Sequence, residues 1–231
     1  MAASVPGKCD VEGPAATGAS LGRVWHAGGG ECSRAISDDG DFEAVASGAI
    51  FDGSENDVAA LLLQTVRGGA FEELSRVNGQ FCGAVYDRPN HRLVLITDRL
   101  ATFPLHFYRR DGDVVFATQL HTLIAGPEAP RRADRTAIAQ LFTMQRTIGT
   151  YTPIAGISAM PAACIFTVDR DGCRERQYWD LTWRVSDKSQ RDTADLLATA
   201  LRRAVARQSR SEKTGLLLSG GVDSRLVLAA A

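Results

Sequence analysis

The 231 residues carry a formal net charge of −1 and a pI near 6.4, which excludes the basic footprint of a nucleic-acid or acidic-membrane binder. Apolar residues at 45% and charged residues at 23% are ordinary for a globular protein, and the length allows one good core and part of a second. Met1 to Gly7 lacks the apolar core of a signal peptide, and no run approaches the roughly 18 apolar residues of a membrane span. Cys9, Cys32, Cys82, Cys164 and Cys173 form no Cys-x-x-Cys pair and leave one over if paired, so reduced thiols and a cytoplasmic location are expected. His26, His91, His106 and His121 are too far apart in sequence to form a metal motif. Of the 26 basic residues only Lys8, Lys188 and Lys213 are lysine, a bias of the coding sequence rather than a sign of function.

In chain order, residues 1–20 are rich in Ala, Gly and Pro without a period and read as a poorly ordered N-terminus. A first strand is expected at Arg23 to His26 and a second at Glu43 to Phe51. Glu55 or Asn56 then opens an amphipathic helix, with Val58, Leu61, Leu62 and Thr65 on one face and Gly68-Gly69 ending it. From Asn78 the period shortens to that of strands: Gln80 to Asp87, Arg92 to Asp98, Leu105 to Tyr108 and Val114 to Ala117, with turns at Pro89-Asn90 and Asp111-Gly112. Alternation puts Phe81, Gly83 and Val85 opposite Cys82, Ala84 and Tyr86. A short helix at Gln119 to Ala125, a helix Arg135 to Met144 capped by Asp134, a strand Ala162 to Val168, a turn Asp169 to Gly172 and a strand through Tyr178-Trp179 complete an α+β layer pattern.

Beyond a polar linker, Ser186 to Arg191, a helix is expected from Thr193 to Arg207, with Leu197, Leu201 and Val205 inward and Arg202, Arg203 and Arg207 on its surface. Leu216-Leu217-Leu218, then Ser219-Gly220-Gly221, then Val222 onward read as buried strand, tight loop and helix start. Such a junction suits an anion. The two glycines allow positive φ and close backbone approach, while Ser219 and Ser224 add hydroxyl donors to the free N–H groups of the helix. Asp223 is out of place against bare phosphate but sensible as a ligand of Mg²⁺ that bridges phosphate oxygens. The loop lacks the Gly-Lys-Ser/Thr of a Walker A motif, the Gly-x-Gly-x-x-Gly of a dinucleotide site and the Gly-x-Ser-x-Gly of a nucleophile elbow.

The string Ser219-Gly220-Gly221-Val222-Asp223-Ser224 resembles the pyrophosphate loop (PP-loop) of the ATP pyrophosphatase superfamily, whose members activate a carboxylate as an adenylate. The resemblance implies ATP and Mg²⁺ as cofactors: Ser219, Gly220, Gly221 and Ser224 on pyrophosphate, Asp223 on Mg²⁺, and the Leu217 backbone near adenine. Arg225 departs from the Ser most often found there and reads as a surface charge.

A second set of strings is similar to the glutaminase half of asparagine synthetase and its relatives: Asn78 to Asp87, Thr97-Asp98-Arg99, Phe103-Pro104-Leu105, Phe116-Ala117-Thr118 and Met160-Pro161-Ala162, followed by Tyr178-Trp179. It implies an N-terminal nucleophile hydrolase-like αββα sandwich over residues 21–185, followed over 186–231 by the beginning of an α/β adenine-nucleotide α-hydrolase-like domain. Active members place a Cys directly after Met1, where this chain has Ala2, and their Asn-Gly-Glu glutamine clamp stands here as Ser47-Gly48-Ala49. Glu55 stands near where the family's Asp would help, and Cys9 would serve as nucleophile only after processing. No catalytic residue is therefore assigned. β-Lactam synthetases and lasso-peptide cyclases share that loss and use an amine already in the substrate.

The expectation is an ATP-dependent carbon–nitrogen ligase that forms an amide through an acyl-adenylate, releasing AMP and pyrophosphate, with glutaminase activity lost. Its substrates would be a small-molecule or peptide carboxylate with ammonia or an amine, without nucleic acid or membrane, and a homodimer or partner chain stays open. The chain reads as an N-terminal fragment that alone would be inactive, since one strand and half a helix make no nucleotide crevice. The alternatives are a non-catalytic scaffold and glutamine-hydrolysing asparagine synthesis proper.

Overall fold

A computed structural model describes residues 32–52, 57–110, 113–209 and 214–231, together with the backbone of two strands, β1 (Lys8–Val11) and β2 (Gly22–Trp25). The chain divides into two units, Met1–Asp180 and Leu181–Ala231. β1 falls in the stretch expected to be poorly ordered and pairs antiparallel with β2. Ala2 and Glu55 lie outside the described residues, as does the turn at Asp111-Gly112.

The first unit is built on a six-stranded antiparallel sheet in the order β11-β10-β6-β5-β4-β3. Its strands are β3 (Cys32–Ile36), β4 (Phe42–Ile50), β5 (Gly79–Asp87), β6 (Arg92–Thr97), β10 (Cys164–Asp169) and β11 (Gly172–Gln177). The alternation read in β5 holds. Phe81 and Val85 join one buried cluster with Ala44, Val94 and Ile96, while Cys82, Ala84 and Tyr86 join another with Val45, Leu95 and Phe166. A strand buried on both faces must lie between two layers.

The first layer is α1 (Val58–Gly68), and it is positioned by its ends and its apolar stripe. Asp57 rather than Glu55 or Asn56 caps it, accepting from the Ala60 N–H at 3.1 Å, and Gly69 closes it in the left-handed region at φ 68°. The buried stripe is Val58, Ala59, Leu62, Leu63, Thr65 and Val66, with Leu61 only half-buried. The helix sits close to the sheet because Gly83 has no side chain. A Cβ there would come within 2.5 Å of Leu62 Cδ1 and 2.8 Å of the Val45 carbonyl oxygen.

The opposite layer is a second sheet, ordered β8-β7-β9, from β7 (His106–Arg110), β8 (Asp113–Ala117) and β9 (Ser158–Ala159). Phe103, Phe107, Val114 and Phe116 pack onto the first sheet, and the Phe107 and Phe166 rings stand 4.7 Å apart. Tyr108, Leu123, Ala129 and Ile157 fill its other face under α2 (Leu120–Ala125). The order of layers is helix, sheet, sheet, helix. A further helix, α3 (Arg135–Met144), begins where expected, with Asp134 accepting from the Ala137 N–H at 2.9 Å.

One strand expectation shifts, and two strands had none. The strand expected through Tyr178-Trp179 ends at Gln177; Tyr178 turns inward, its hydroxyl donating to the Thr97 carbonyl at 2.8 Å. β9 and β3 had no apolar period to reveal them. β3 is held by charge: Glu43, 4% exposed, accepts from Arg34 Nη2 at 2.8 Å and from Arg88 Nη2 at 2.7 Å.

His106 on β7 gives this unit a pH dependence. Burial pushes its imidazole below the ordinary histidine value, against backbone hydrogen bonds at Thr118 and Ala117 that pull it up, and its Nδ1 has no partner. The unfolded chain then binds a proton more readily than the folded one. Stability is therefore full above the ordinary value and falls as pH drops through it toward the depressed one. Denaturation midpoints should decline between pH 7.5 and 5.5, and His106→Gln should flatten that slope; an unchanged slope in the variant would remove His106 from the account.

In the second unit, α4 (Gln190–Gln208) starts before Thr193 because Ser189 caps it, accepting from the Asp192 N–H at 3.1 Å. Of its expected inward residues Val205 is buried and Leu201 half-buried, while Leu197 is 68% exposed. Arg202, Arg203 and Arg207 are exposed as expected. α5 (Val222–Ala230) follows the glycine loop. The buried strand expected before that loop is not formed: Leu216, Leu217 and Leu218 are 42%, 95% and 58% exposed. A strand needs a neighbour to pair with, and the described residues of this unit offer none. Among the described residues no helix is long and apolar enough to cross a membrane.

Candidate functional site

Two places carry the sequence-predicted chemistry, one in each unit. In the first, Ser47-Gly48-Ala49 lies near the end of β4, paired with Gln80, Phe81 and Cys82 of β5. Gly48 adopts φ +125°, and a Cβ on it would meet the Gln80 carbonyl oxygen at 2.0 Å, so only glycine fits this approach of two strands. This is the close approach at the glycine of the stretch that resembles the clamp. The next residue, Ala49, carries no carboxylate.

The same level of the sheet carries a lateral row of Cys32, Ser47, Cys82 and Thr97, side by side on four strands. The Ser47 hydroxyl points to Cys32 Sγ at 3.9 Å. The Thr97 hydroxyl donates to the Pro161 carbonyl at 2.7 Å and accepts from the Cys164 N–H at 3.1 Å. Neither buried thiol is poised as a nucleophile. Burial, with Asp98 and Cys32 adding to it, pushes Cys82 up to about 12, and burial, with Glu175 adding, pushes Cys164 up to about 12. Iodoacetamide at pH 7.5 should therefore modify the exposed Cys173 in the native chain and reach Cys82 and Cys164 only after unfolding. Rapid native labelling of Cys82 would contradict this packing.

Asp98 organises the turn below that row, a role the sequence left unassigned. It is 2% exposed. Its Oδ2 accepts from the N–H groups of Phe81 and Thr102, both at 3.0 Å, while Oδ1 accepts from the Leu100 N–H at 2.8 Å and the Thr102 hydroxyl at 3.3 Å. The available signal was Asp98 itself at the end of an apolar strand, the position of an Asx turn. Next to it the Arg99 guanidinium lies 5.7 Å over the Trp179 ring and reaches Asn78 Oδ1 at 3.5 Å.

In the second unit, Ser219, Gly220, Gly221, Asp223 and Ser224 come together at the start of α5 as expected of a contiguous loop. Their backbone differs from the expectation. Neither glycine takes positive φ: Gly221 stands at φ −78°, ψ 162° as the N-cap of α5, and no side chain caps the helix. The loop turns without left-handed residues because its hydroxyls bind one another. Ser219 and Ser224 Oγ are 3.0 Å apart, the Gly221 N–H donates to Ser219 Oγ at 3.2 Å, and the Ser224 hydroxyl lies 3.0 Å from the Ser219 carbonyl. Gly220 faces open space, whereas a Cβ on Gly221 would press Ser219 Oγ at 3.3 Å. Asp223 is exposed in the first turn, Arg225 bonds its own helix through the Gly221 carbonyl at 3.3 Å, and Leu217 is 95% exposed.

The uncapped helix start and the bare glycine suit an anion, while the two hydroxyls would have to leave their loop partners to reach one. Mg²⁺ fits less completely. Asp223 supplies one carboxylate, and among the described residues no cluster of three His, Cys, Asp or Glu stands ready for a metal; the ion would take most of its oxygens from phosphate and water.

The chain is 29% identical over 161 residues to asparagine synthetase [glutamine-hydrolyzing] 3 of Bacillus subtilis (strain 168), a match covering 68% of this chain and 26% of that protein. The chain thus spans about a quarter of the length of that curated relative. Among solved structures, the glutamine phosphoribosylpyrophosphate amidotransferase of B. subtilis, complexed with ADP and GMP, aligns at a TM-score of 0.42 and 11% identity, over 83% of this chain and 44% of that one. The family described as a glutamine amidotransferase domain matches residues 45–179, which takes in β4 to β11 with the Gly48 approach and the Asp98 turn. More than half of the chain is so matched, and the chain belongs to that glutamine amidotransferase domain family.

Proposed function

We propose that this chain is the amidotransferase-like part of an asparagine-synthetase-like, ATP-dependent ligase that forms an amide without hydrolysing glutamine. The observation that carries the reading is the pairing of a kept clamp backbone at Gly48 with a lost clamp acid at Ala49. With no clamp carboxylate at Ala49 to hold a glutamine ammonium, nitrogen in this reading comes from ammonia or from an amine in the substrate.

In this reading the second unit begins an α/β adenine-nucleotide α-hydrolase-like domain that adenylates a carboxylate and releases AMP and pyrophosphate. The amides of Val222, Asp223 and Ser224 and, once released from each other, the hydroxyls of Ser219 and Ser224 would hold the departing pyrophosphate, whose charge grows in the transition state. Gly220 and Gly221 leave room for it, the Leu217 backbone borders adenine, and Asp223 holds Mg²⁺, which when bound neutralises phosphate charge. The compartment is the cytoplasm, where ATP is abundant. The test is carboxylate-dependent exchange of labelled pyrophosphate into ATP, measured on the protein as its locus encodes it. Exchange without glutamine consumption supports the proposal; absence of exchange with every carboxylate offered counts against it.

A further inference from the structure

Among the described residues four arginines are half-buried: Arg34, Arg88, Arg92 and Arg99. Three of them hold a carboxylate, Arg34 and Arg88 on Glu43 at 2.8 and 2.7 Å and Arg92 on Asp87 at 2.7 Å. Arg99 is paired with no carboxylate of the described residues. Its guanidinium lies over the Trp179 ring, and only Nη2 has a protein partner, Asn78 Oδ1 at 3.5 Å. The acid next to it in the chain is engaged elsewhere, since Asp98 already accepts from three amides and a hydroxyl. A guanidinium drawn partly out of water loses hydration that one ring and one long hydrogen bond return only in part. The three side chains stand on fixed backbone. Arg99 follows the Asp98 turn, and the Asn78 carbonyl accepts from the Phe51 N–H at 2.8 Å. Trp179 follows Tyr178, whose N–H donates to the Ala163 carbonyl at 2.9 Å and whose hydroxyl donates to the Thr97 carbonyl. Because Asn78 Oδ1 turns to Arg99, the Asn78 amide NH2 is left as a donor beside the guanidinium.

We propose that Arg99 and Asn78, braced by Trp179, form a binding site for a carboxylate. The chemical class follows from charge and shape. The guanidinium fork offers paired N–H groups that match the two oxygens of a carboxylate, and Asn78 Nδ2 adds a neutral donor to the same anion. One cation and one neutral amide balance a single negative charge. A phosphate dianion would leave half-buried negative charge unmatched, close to the carboxylate of Asp98. An ammonium would meet Arg99 with like charge, and Ala49 on the neighbouring strand brings no acid to offset it. The ring under the guanidinium holds it in place before a ligand arrives, which lowers the side-chain entropy lost on binding. The site uses residues of the first unit alone and no nucleotide, so it stands or falls apart from adenylation at Ser219 to Ser224.

Titration of the full chain with N-acetylleucine tests the site, followed by the NMR signals of the Arg99 side-chain N–H groups and the Trp179 indole N–H. Both signals should shift saturably, with a dissociation constant of about 1–10 mM for so few contacts. N-acetylleucinamide, which replaces the carboxylate by a neutral amide, should shift neither. Inorganic phosphate should bind about tenfold more weakly than the carboxylate. In Arg99→Gln the shift of the Trp179 signal should need about tenfold more N-acetylleucine, while Arg99→Lys, which keeps the charge and loses the fork, should fall between variant and parent. Acetate and a tetrapeptide with a free C-terminus separate a small acid from a peptide end as the source, and tighter binding of either supports the site. The proposal is overturned by equal shifts with the amide, by phosphate binding as tightly as the carboxylate, or by binding unchanged in Arg99→Gln. The lack of any saturable shift by about 100 mM carboxylate would overturn it too.

Discussion

Asp98→Ala should lower the stability of the first unit by about 4 kcal/mol, because it leaves the N–H groups of Phe81, Leu100 and Thr102 without their acceptor in a turn that water reaches poorly. Phe81 sits at the centre of this loss. It is 1% exposed, so its amide has no water to turn to, and its side chain fills the cluster under α1. The Thr102 and Leu100 amides are part-buried and recover some hydration, which keeps the total below the sum of three full penalties. For a unit of this size the melting temperature should fall by about 10 °C. Asp98→Asn keeps the shape but turns one acceptor into a donor, and should fall between the variant and the parent. A loss under about 1 kcal/mol in Asp98→Ala would mean that the turn is held by packing alone.

The second large effect concerns activity. In an exchange-competent assembly, Asp223→Ala should reduce pyrophosphate exchange about a hundred- to a thousandfold, the usual cost of removing one group that stabilises developing phosphate charge. The side chain is exposed in the first turn of α5 and makes no hydrogen bond that the loop depends on, so folding should be untouched. Asp223→Asn separates the two roles left to it. A ligand for Mg²⁺ loses most of its value as an amide, and excess Mg²⁺ should restore part of the rate, whereas a group that only shapes the loop would tolerate the change. Exchange at the parental rate in Asp223→Ala would remove Asp223 from the site.

The glutaminase-like sandwich was legible where side chains alternate against two layers. Phe81 to Tyr86 declare both faces of β5 by period alone, and Asp134 and Gly69 mark helix ends by the chemistry of their caps. β3 was not legible, because it is held by Arg34 on Glu43, a contact between strands that no local period records. The position of Gly48 could be read only as part of a degenerate clamp; that a Cβ would strike Gln80 is a fact of pairing register. At the anion loop the residue types were plain and the backbone was not. Glycines suggested left-handed φ, while the two serines close the turn with Gly221 in an ordinary N-cap conformation. The strand before that loop reads as buried by composition, and burial needs neighbours that composition does not supply.

The central claim is that a chain of the glutamine amidotransferase domain family has kept the scaffold and given up the hydrolysis. The most direct measurement is the release of ammonia and glutamate from glutamine by the purified chain, over hours, beside a reaction without protein. The account predicts no release above that blank, because Ala49 offers no carboxylate to hold glutamine, and Cys82 and Cys164 are held protonated by burial. Catalytic release of glutamate, with many turnovers per chain and lost on blocking of the thiols, would contradict it and place a working glutaminase in this sandwich.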